Sequence, residues 1–273
     1  MSSMNRKVDK DSECEMSFGD HLEELRKVLI HIGVAFCIVF FVLFSFFKGV
    51  ILDLVFYPSQ PGFITNRLLS ALAQITGIEG LNINVSGVEI YNVKMAGQFM
   101  LHIKVSAVGA LILCFPYIIS QLWGFVKPAL SKNIRRKSRR IVWEIVLWFF
   151  IGTMFCYFIV APLAINFLVN YEANEAINNI IEIDSYIGTV LGVSFAGGLI
   201  FQLPLLVRFL ASVGLITSEW MRGNRKIAIV VLLVISALIT PPDIMSQCLI
   251  FLPFYLLYEY SITIAKRVEK ENI

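Results

Sequence analysis

Four apolar runs long enough to cross a lipid bilayer dominate this chain of 273 residues. They cover residues 28–47, 99–121, 141–160 and 185–207. A helix that crosses the hydrocarbon core of a bilayer needs about 20 predominantly apolar residues. Hydrophobic residues make up 57% of the chain, well above the apolar fraction that is usual in soluble domains. The sequence therefore predicts a polytopic, all-α membrane protein.

Two shorter apolar runs, residues 227–240 and 244–258, flank the tripeptide Pro241-Pro242-Asp243. A helix ends at such a site because each proline lacks an N–H and clashes with the preceding turn. We predict a hairpin of two short helices with this tripeptide as its structural turn, and six transmembrane helices in all.

The predicted spans are 24–47, 99–121, 139–162, 185–209, 226–240 and 244–261. They form one domain, residues 17–262, between a flexible N-terminus of residues 1–16 and a tail of residues 263–273.

The basic residues indicate the orientation of this chain. With six spans, eighteen Lys and Arg residues fall in the segments on one side, whereas the other side holds Lys48, Arg67 and Lys94. Cytoplasmic loops of membrane proteins carry the excess of Lys and Arg. We therefore predict that both termini are cytoplasmic. Residues 48–98 then form an extracytoplasmic cap, with a short helix near residues 65–75 and an extended part near residues 81–93.

Polar residues inside the spans are few, and most lie near span ends. Lys104 and Glu144 can reach the membrane interface, and Arg208 anchors the end of its span. Gln202 differs because it lies deep in the fourth run beside Pro204, whose ring frees a backbone carbonyl near residue 200. Its amide either bonds within its own helix or faces a neighbouring segment, and the sequence favours neither.

Sequence signatures of enzymes and metal sites are absent from the chain. It contains no P-loop and no GxGxxG, and residues 21–25 do not have the spacing of an HExxH metal site. The basic run of residues 131–140 lies between two spans, where it indicates contact with anionic lipid rather than with nucleic acid. The sequence thus predicts no catalytic residue, no cofactor and no metal.

The charged stretch of residues 17–27 leads directly into the first apolar run. Ser17 and Asp20 have the spacing of a helix N-cap and a short capping box. Glu23 and Lys27 can pair at the favourable i,i+4 spacing, which leaves Glu24 as the carboxylate most available to a partner. The alternative is a solvated helix start whose acidic residues complement the helix dipole.

Several motifs occur in a recognisable order after that stretch. They are Gln121-Leu-Trp-Gly-Phe-Val-Lys-Pro-Ala-Leu130, Tyr157-Phe-Ile-Val-Ala-Pro-Leu-Ala164 and Thr240-Pro-Pro-Asp243. From residue 17 to residue 260 the sequence resembles the TatC family, the multispanning receptor subunits of the twin-arginine protein translocase. The resemblance implies a protein of the cytoplasmic (inner) membrane without enzymatic activity or cofactor. It also implies recognition of the paired arginines in signal peptides of folded precursors, and an oligomeric complex with single-span TatA and TatB subunits.

The resemblance also assigns roles to individual positions. The signal-binding carboxylate falls on Glu24, and the aromatic and proline of the first cytoplasmic loop fall on Phe125 and Pro128. Beside Glu24 lie the further binding positions, His21, Leu25 and Arg26. The polar position that contacts partner helices falls on Gln202, where glutamate is frequent in the family.

One position departs from the pattern of the family. Its members commonly carry a second acidic residue directly before two arginines of the first cytoplasmic loop. Here that position is Ile134, followed by Arg135 and Arg136. Recognition of arginines should therefore depend more heavily on Glu24.

A second function class is a secondary transporter or channel for a small solute, with Gln202, Lys104 and Asp243 along its path. The sequence shows no internal repeat and few charges at mid-membrane, which disfavours this alternative.

Overall fold

A computed structural model describes residues 18–60, 62–76, 90–127, 138–170, 180–239 and 244–272. Its helices are α1 (Phe18–Phe46), α2 (Lys48–Phe56), α3 (Ile64–Thr76), α4 (Gly97–Val126), α5 (Ser138–Phe155), α6 (Ala161–Asn170), α7 (Ile183–Ile200), α8 (Leu203–Ser212), α9 (Ser218–Gly223), α10 (Arg225–Ile239) and α11 (Ile244–Asn272). Two short strands, β1 (Ile90–Tyr91) and β2 (Ile181–Glu182), pair in parallel with Ile90 opposite Ile181.

Within the described residues, four helical stretches are long and apolar enough to cross a membrane. They are His21–Phe46, Gly97–Val126, Arg140–Asn166 and Ile183–Ser212. They coincide with the four long apolar runs, so the prediction of helices there is confirmed. Several predicted features lie outside the described residues: the Ser17 cap, Pro128, the loop with Ile134, residues 81–89 of the extended part, and the turn Pro241-Pro242-Asp243.

The last two helices pack against each other, but they differ in length. Helix α10 is short, with 15 residues, as the sequence predicts. Helix α11 has 29 residues and continues through the segment predicted as a tail. The reason is a second apolar face on α11, where Ile262, Ala265 and Val268 pack against α8. The apolar run ends near residue 258, but burial of this face keeps the chain helical.

The end of α11 also holds the turn between α8 and α9. Gly214 has a φ of +78° and ends α8, and the Leu215 N–H then bonds the Leu210 carbonyl at 3.0 Å. The Ser218 N–H and hydroxyl both donate to the carboxylate of Glu269 on α11. These bonds hold the pKa of Glu269 below its ordinary value, with the Ser218 hydroxyl as the largest cause.

The membrane helices are arranged around a shared core. Helix α4 packs against α1, α5 and α7, and α7 packs against α5. The central cluster joins residues 156–161, which follow α5, to α7, α10 and α11, and its best-buried members are Cys156, Val160, Ala161, Val193, Ile250 and Phe254. Helix α1 is an exception because only one side of it meets another described helix, and the rest of its apolar surface is exposed among these residues.

A π-helical turn, Cys156–Val160, joins α5 to α6 just before Pro162. The Ala161 N–H reaches back five residues to the Cys156 carbonyl, and Pro162 has no N–H to give to the Phe158 carbonyl. The hydroxyl of Thr65, at the start of α3, donates to that carbonyl instead. The ring of Phe63 stacks on Phe158 with the centroids 5.5 Å apart. Residues 63–65 therefore satisfy the backbone group that the proline leaves free and pack against it.

This compensation predicts a coupled response to substitution. Thr65→Val should lower the free energy of unfolding by about 1–2 kcal/mol, because it leaves a carbonyl without a donor. In a Pro162→Ala background the helix can supply its own N–H, so the same substitution should cost much less. Thermal unfolding of the four proteins in detergent measures the coupling. An equal cost of Thr65→Val in both backgrounds would show that the two residues act independently.

Candidate functional site

The start of α1 lies against the end of α4, and this places two of the predicted site residues together. The rings of His21 and Phe125 stack with their centroids 4.2 Å apart and their planes 18° apart. At the far end of the same helix pair, Phe44 stacks on His102 at 4.1 Å. The His21–Phe125 stack is therefore one end of a long α1–α4 interface, and it fixes the first turn of α1.

Glu24 lies one turn after His21, and no described residue bonds its carboxylate. Glu23 pairs with Lys27 at 2.9 Å, so the pair expected from their spacing is present. The Oε2 atom of Glu24 is buried, and no donor among the described residues bonds it. A buried carboxylate oxygen without a donor is unfavourable, so this site gains free energy when a ligand supplies one. Leu25 is half-buried beside it, whereas Arg26 is exposed.

Trp123 carries a buried polar group that was not expected from the sequence. Its indole N–H is buried and bonds no acceptor within the described part of the chain. Residues two apart on a helix point about 200° away from each other, so this indole and Phe125 face nearly opposite directions. Trp123 therefore does not belong to the Glu24 site, and its apolar surroundings in the sequence gave no sign of an unpaired N–H.

Gln202 occupies a break between α7 and α8, at the point where Pro204 interrupts the backbone bonding. Its Nε2 donates to the Ile145 carbonyl on α5 at 3.2 Å and to the Gly198 carbonyl on α7 at 3.4 Å. Both alternatives left open by the sequence thus occur at once. The Oε1 atom is buried, and no described residue donates to it.

Glu144 on α5 makes two ion contacts close to Gln202, one within its own helix and one to α8. Glu144 accepts from Arg140 at 3.0 Å and from Arg208 at 2.8 Å. The sequence placed all three residues near span ends, but it did not predict that Arg208 reaches across to Glu144. Only the i,i+4 spacing of Arg140 and Glu144 gave a local signal.

A second ionic cluster lies where β2 meets the start of α7. Asp184 accepts from both Lys94 and Lys104, and Glu182 pairs with Lys94 at 3.1 Å. These contacts raise the pKa of Lys94, with the Glu182 bond as the largest cause. Lys104 is thus held by Asp184, and Gln202 is bonded to backbone. Two of the three residues on the hypothetical solute path are engaged, and the third, Asp243, lies outside the described residues.

No set of three or more His, Cys, Asp and Glu side chains suited to a metal ion occurs in the described ranges. The arrangement instead offers one unpaired carboxylate beside an aromatic stack, at an apolar surface. Such a site can bind a cationic ligand by charge-assisted hydrogen bonds.

Comparison with known proteins identifies the family. Residues 20–253 match a family model described as TatC, Sec-independent protein translocase protein. The chain belongs to the TatC family. The TatC protein of a Blattabacterium of Periplaneta americana is 35% identical over 266 residues, which are 96% of this chain and all of that protein. The TatC protein of Campylobacter jejuni is also 35% identical, over 91% of this chain and 93% of the relative.

Two solved structures of TatC share the fold. A crystal structure of the twin-arginine translocase receptor TatC is 32% identical, with a TM-score of 0.70 over 91% of this chain and 99% of the other. A second crystal structure of that receptor, in the detergent DDM, has a TM-score of 0.72 at 30% identity, over 90% of this chain and 99% of the other. The prediction of an all-α membrane protein with six transmembrane helices is confirmed.

Proposed function

We propose that this chain is the receptor subunit of a twin-arginine translocase, and that Glu24 binds the paired arginines of a precursor's signal peptide. The observation that carries this proposal is the buried, unpaired oxygen of Glu24 beside the His21–Phe125 stack. A guanidinium offers several N–H donors in a planar fork that matches a carboxylate. The proposed role needs no covalent step, and therefore no catalytic residue or cofactor.

The other predicted positions have supporting roles in this proposal. Leu25 and Pro128 offer apolar surface to the peptide, and Phe125 can stack on a guanidinium. Arg26 is exposed and can orient toward anionic groups of the precursor or of lipid headgroups. We expect Pro241, Pro242 and Asp243 to end the fifth span and begin the sixth, on the opposite side of the membrane.

The location and partners follow from the same proposal. The protein lies in the cytoplasmic membrane with both termini in the cytoplasm, because the basic segments favour that side. Its partners are single-span TatA and TatB subunits, in an oligomeric complex that receives folded precursors.

The direct test is a binding experiment with the detergent-solubilised protein. A fluorescent signal peptide with two arginines should bind, and the same peptide with two lysines should bind at least about tenfold more weakly, because lysine cannot form the bidentate contact. Equal affinity for both peptides would contradict the proposal. Flux of a small solute through proteoliposomes without any precursor would favour a transporter instead.

Gln202 is the residue that we expect to contact a single-span partner subunit. If its unpaired Oε1 accepts a bond from a partner helix, Gln202→Leu should reduce the partner that co-purifies with this chain. The effect should be modest, because interhelical polar contacts in membranes average about 0.6 kcal/mol. Thermal unfolding of the isolated subunit is the control. A lower unfolding temperature with unchanged partner recovery would assign Gln202 a structural role only.

An acidic residue at position 134 should increase the affinity for a twin-arginine signal peptide. The loop of residues 127–140 has seven basic residues and no acidic one, so it repels the arginines of a signal peptide. Ile134→Glu should tighten peptide binding, and the gain should shrink at high salt, which screens exposed charges. Peptide titrations at two salt concentrations measure this. No gain at low salt would show that the loop is too far from the bound arginines to affect them.

A further inference from the structure

The Arg140–Glu144–Arg208 cluster has more donors than its own acceptor can use. Arg140 bonds one Glu144 oxygen through Nε, and Arg208 bonds the other through Nη1. The remaining N–H groups of both guanidinium ions bond no described residue. Two positive charges face one negative charge, so one unit of positive charge remains in the cluster.

The cluster is arranged with its carboxylate beneath and its guanidinium groups outside. The side chain of Glu144 is 23% exposed, whereas those of Arg140 and Arg208 are 80% and 52% exposed. Glu144 therefore acts as a fixed bridge that holds two guanidinium groups side by side, with free donors directed outward. A phosphate group suits such a pair, because it accepts paired N–H bonds from arginine.

The cluster also lies at the level of lipid headgroups. Arg140 begins the span Arg140–Asn166, and Arg208 lies about one turn before the end of the span Ile183–Ser212. Span ends lie at the boundary between hydrocarbon and headgroups. Trp143, beside Glu144, is largely exposed, and tryptophan is enriched at this boundary.

An apolar stripe continues from the cluster along α5. Its exposed members, spaced by three or four residues on the face that carries Arg140 and Glu144, are Trp143, Leu147, Ile151 and Met154. No other described helix covers these side chains, so the stripe faces lipid. Its direction, away from the two arginines and into the span, matches the path of an acyl chain below its headgroup.

From these observations we propose that Arg140 and Arg208 bind the phosphate of an anionic phospholipid whose acyl chain lies along the α5 stripe. The headgroup of a zwitterionic lipid carries a cation next to its phosphate, and this cation would lie near the two arginines. The excess positive charge of the cluster therefore favours anionic headgroups. The proposal requires only that the chain lies in a membrane, and it is independent of signal-peptide binding.

The experiment is a titration of the purified full-length chain in neutral detergent, followed by thermal unfolding. Phosphatidylglycerol should stabilise the protein at lower concentration than phosphatidylcholine does. The double variant Arg140→Gln with Arg208→Gln should lose about 25-fold in apparent affinity for phosphatidylglycerol, or about fivefold for each arginine. The matched control, Lys266→Gln with Arg267→Gln, removes two exposed positive charges from α11 and should change the affinity less than about twofold.

Three results would overturn the proposal. They are an unchanged affinity in the double arginine variant, an equal loss in the control, and stabilisation by inorganic phosphate equal to that by phosphatidylglycerol. The last result would show a site for free anions. The double variant is unsuitable if it is already less stable without lipid. Arg208→Lys then tests the site, because lysine keeps the positive charge but lacks the planar guanidinium that donates paired N–H bonds. A loss of about two- to threefold in that variant, smaller than the fivefold expected when the charge is removed as well, supports the site, and wild-type affinity contradicts it.

Discussion

Gly152→Ala should destabilise the protein by about 1–3 kcal/mol, although alanine is the better helix former by roughly 1 kcal/mol. A Cβ on Gly152 would lie 2.6 Å from the Cβ of Phe201 and 2.8 Å from the carbonyl oxygen of Gly197. Neither atom can move by a change of rotamer, so α5 and α7 would have to separate. Gly197 lies equally close to the π-helical turn that follows α5, since its Cβ would be 2.6 Å from the Cβ of Cys156.

Gly188 on α7 is the matched control for this experiment. It is exposed, and a Cβ built there meets no atom within 4 Å. Gly188→Ala should therefore be neutral or slightly stabilising. Unfolding temperatures and the yield of folded protein in detergent measure both variants. Equal stability of Gly152→Ala and Gly188→Ala would show that α5 and α7 do not depend on this close approach.

Glu24→Gln should reduce the affinity for a twin-arginine peptide by roughly a hundredfold or more, because loss of the acceptor leaves the bound guanidinium without its ion pair. Glutamine keeps the size of the side chain and one carbonyl oxygen, so folding should be unaffected. The measurement is peptide binding at two salt concentrations, together with thermal unfolding of the variant.

Glu23→Gln controls for the loss of a negative charge at the same place. Glu23 is already paired with Lys27, so its substitution should have only a small effect on peptide binding. Similar losses in both variants would mean that the net charge of the helix start, rather than the Glu24 carboxylate, attracts the arginines.

The helices were predictable because each depends on a continuous stretch of sequence. The length of each apolar run and its lack of charged residues were enough to predict the four long spans. The spacing of Glu23 and Lys27 was enough to predict their ion pair. Contacts between distant segments were not predictable in this way. Thr65 reaches the Phe158 carbonyl, and Arg208 reaches Glu144, only because helix packing brings these segments together.

The continuation of α11 had a local signal that the length of the apolar run concealed. Residues 262, 265 and 268 are apolar at the spacing of one helix face, which is typical of an amphipathic helix. Residues 263–273 are predicted as a tail because the apolar run ends near residue 258. Lys266, Arg267 and Lys270 are exposed, whereas Glu269 lies on the packed side and bonds Ser218.

Within the candidate site, the central residue Glu24 was predictable from local spacing and from the family resemblance. The His21–Phe125 stack was not predictable from local sequence, because it forms only where the start of α1 meets the end of α4.

Site-specific photocross-linking tests the central claim most directly. Gly124 is a suitable probe position, because it is exposed beside Phe125 and a Cβ built there meets no atom within 4 Å. Gly49, exposed at the other end of the α1–α4 interface and equally free of close contacts, is the control position. A photoreactive side chain at position 124 should cross-link a twin-arginine precursor, and the product should disappear with a twin-lysine precursor or in the Glu24→Gln variant. Cross-linking that is equal from positions 124 and 49, or that persists with two lysines, would contradict signal-peptide recognition at Glu24.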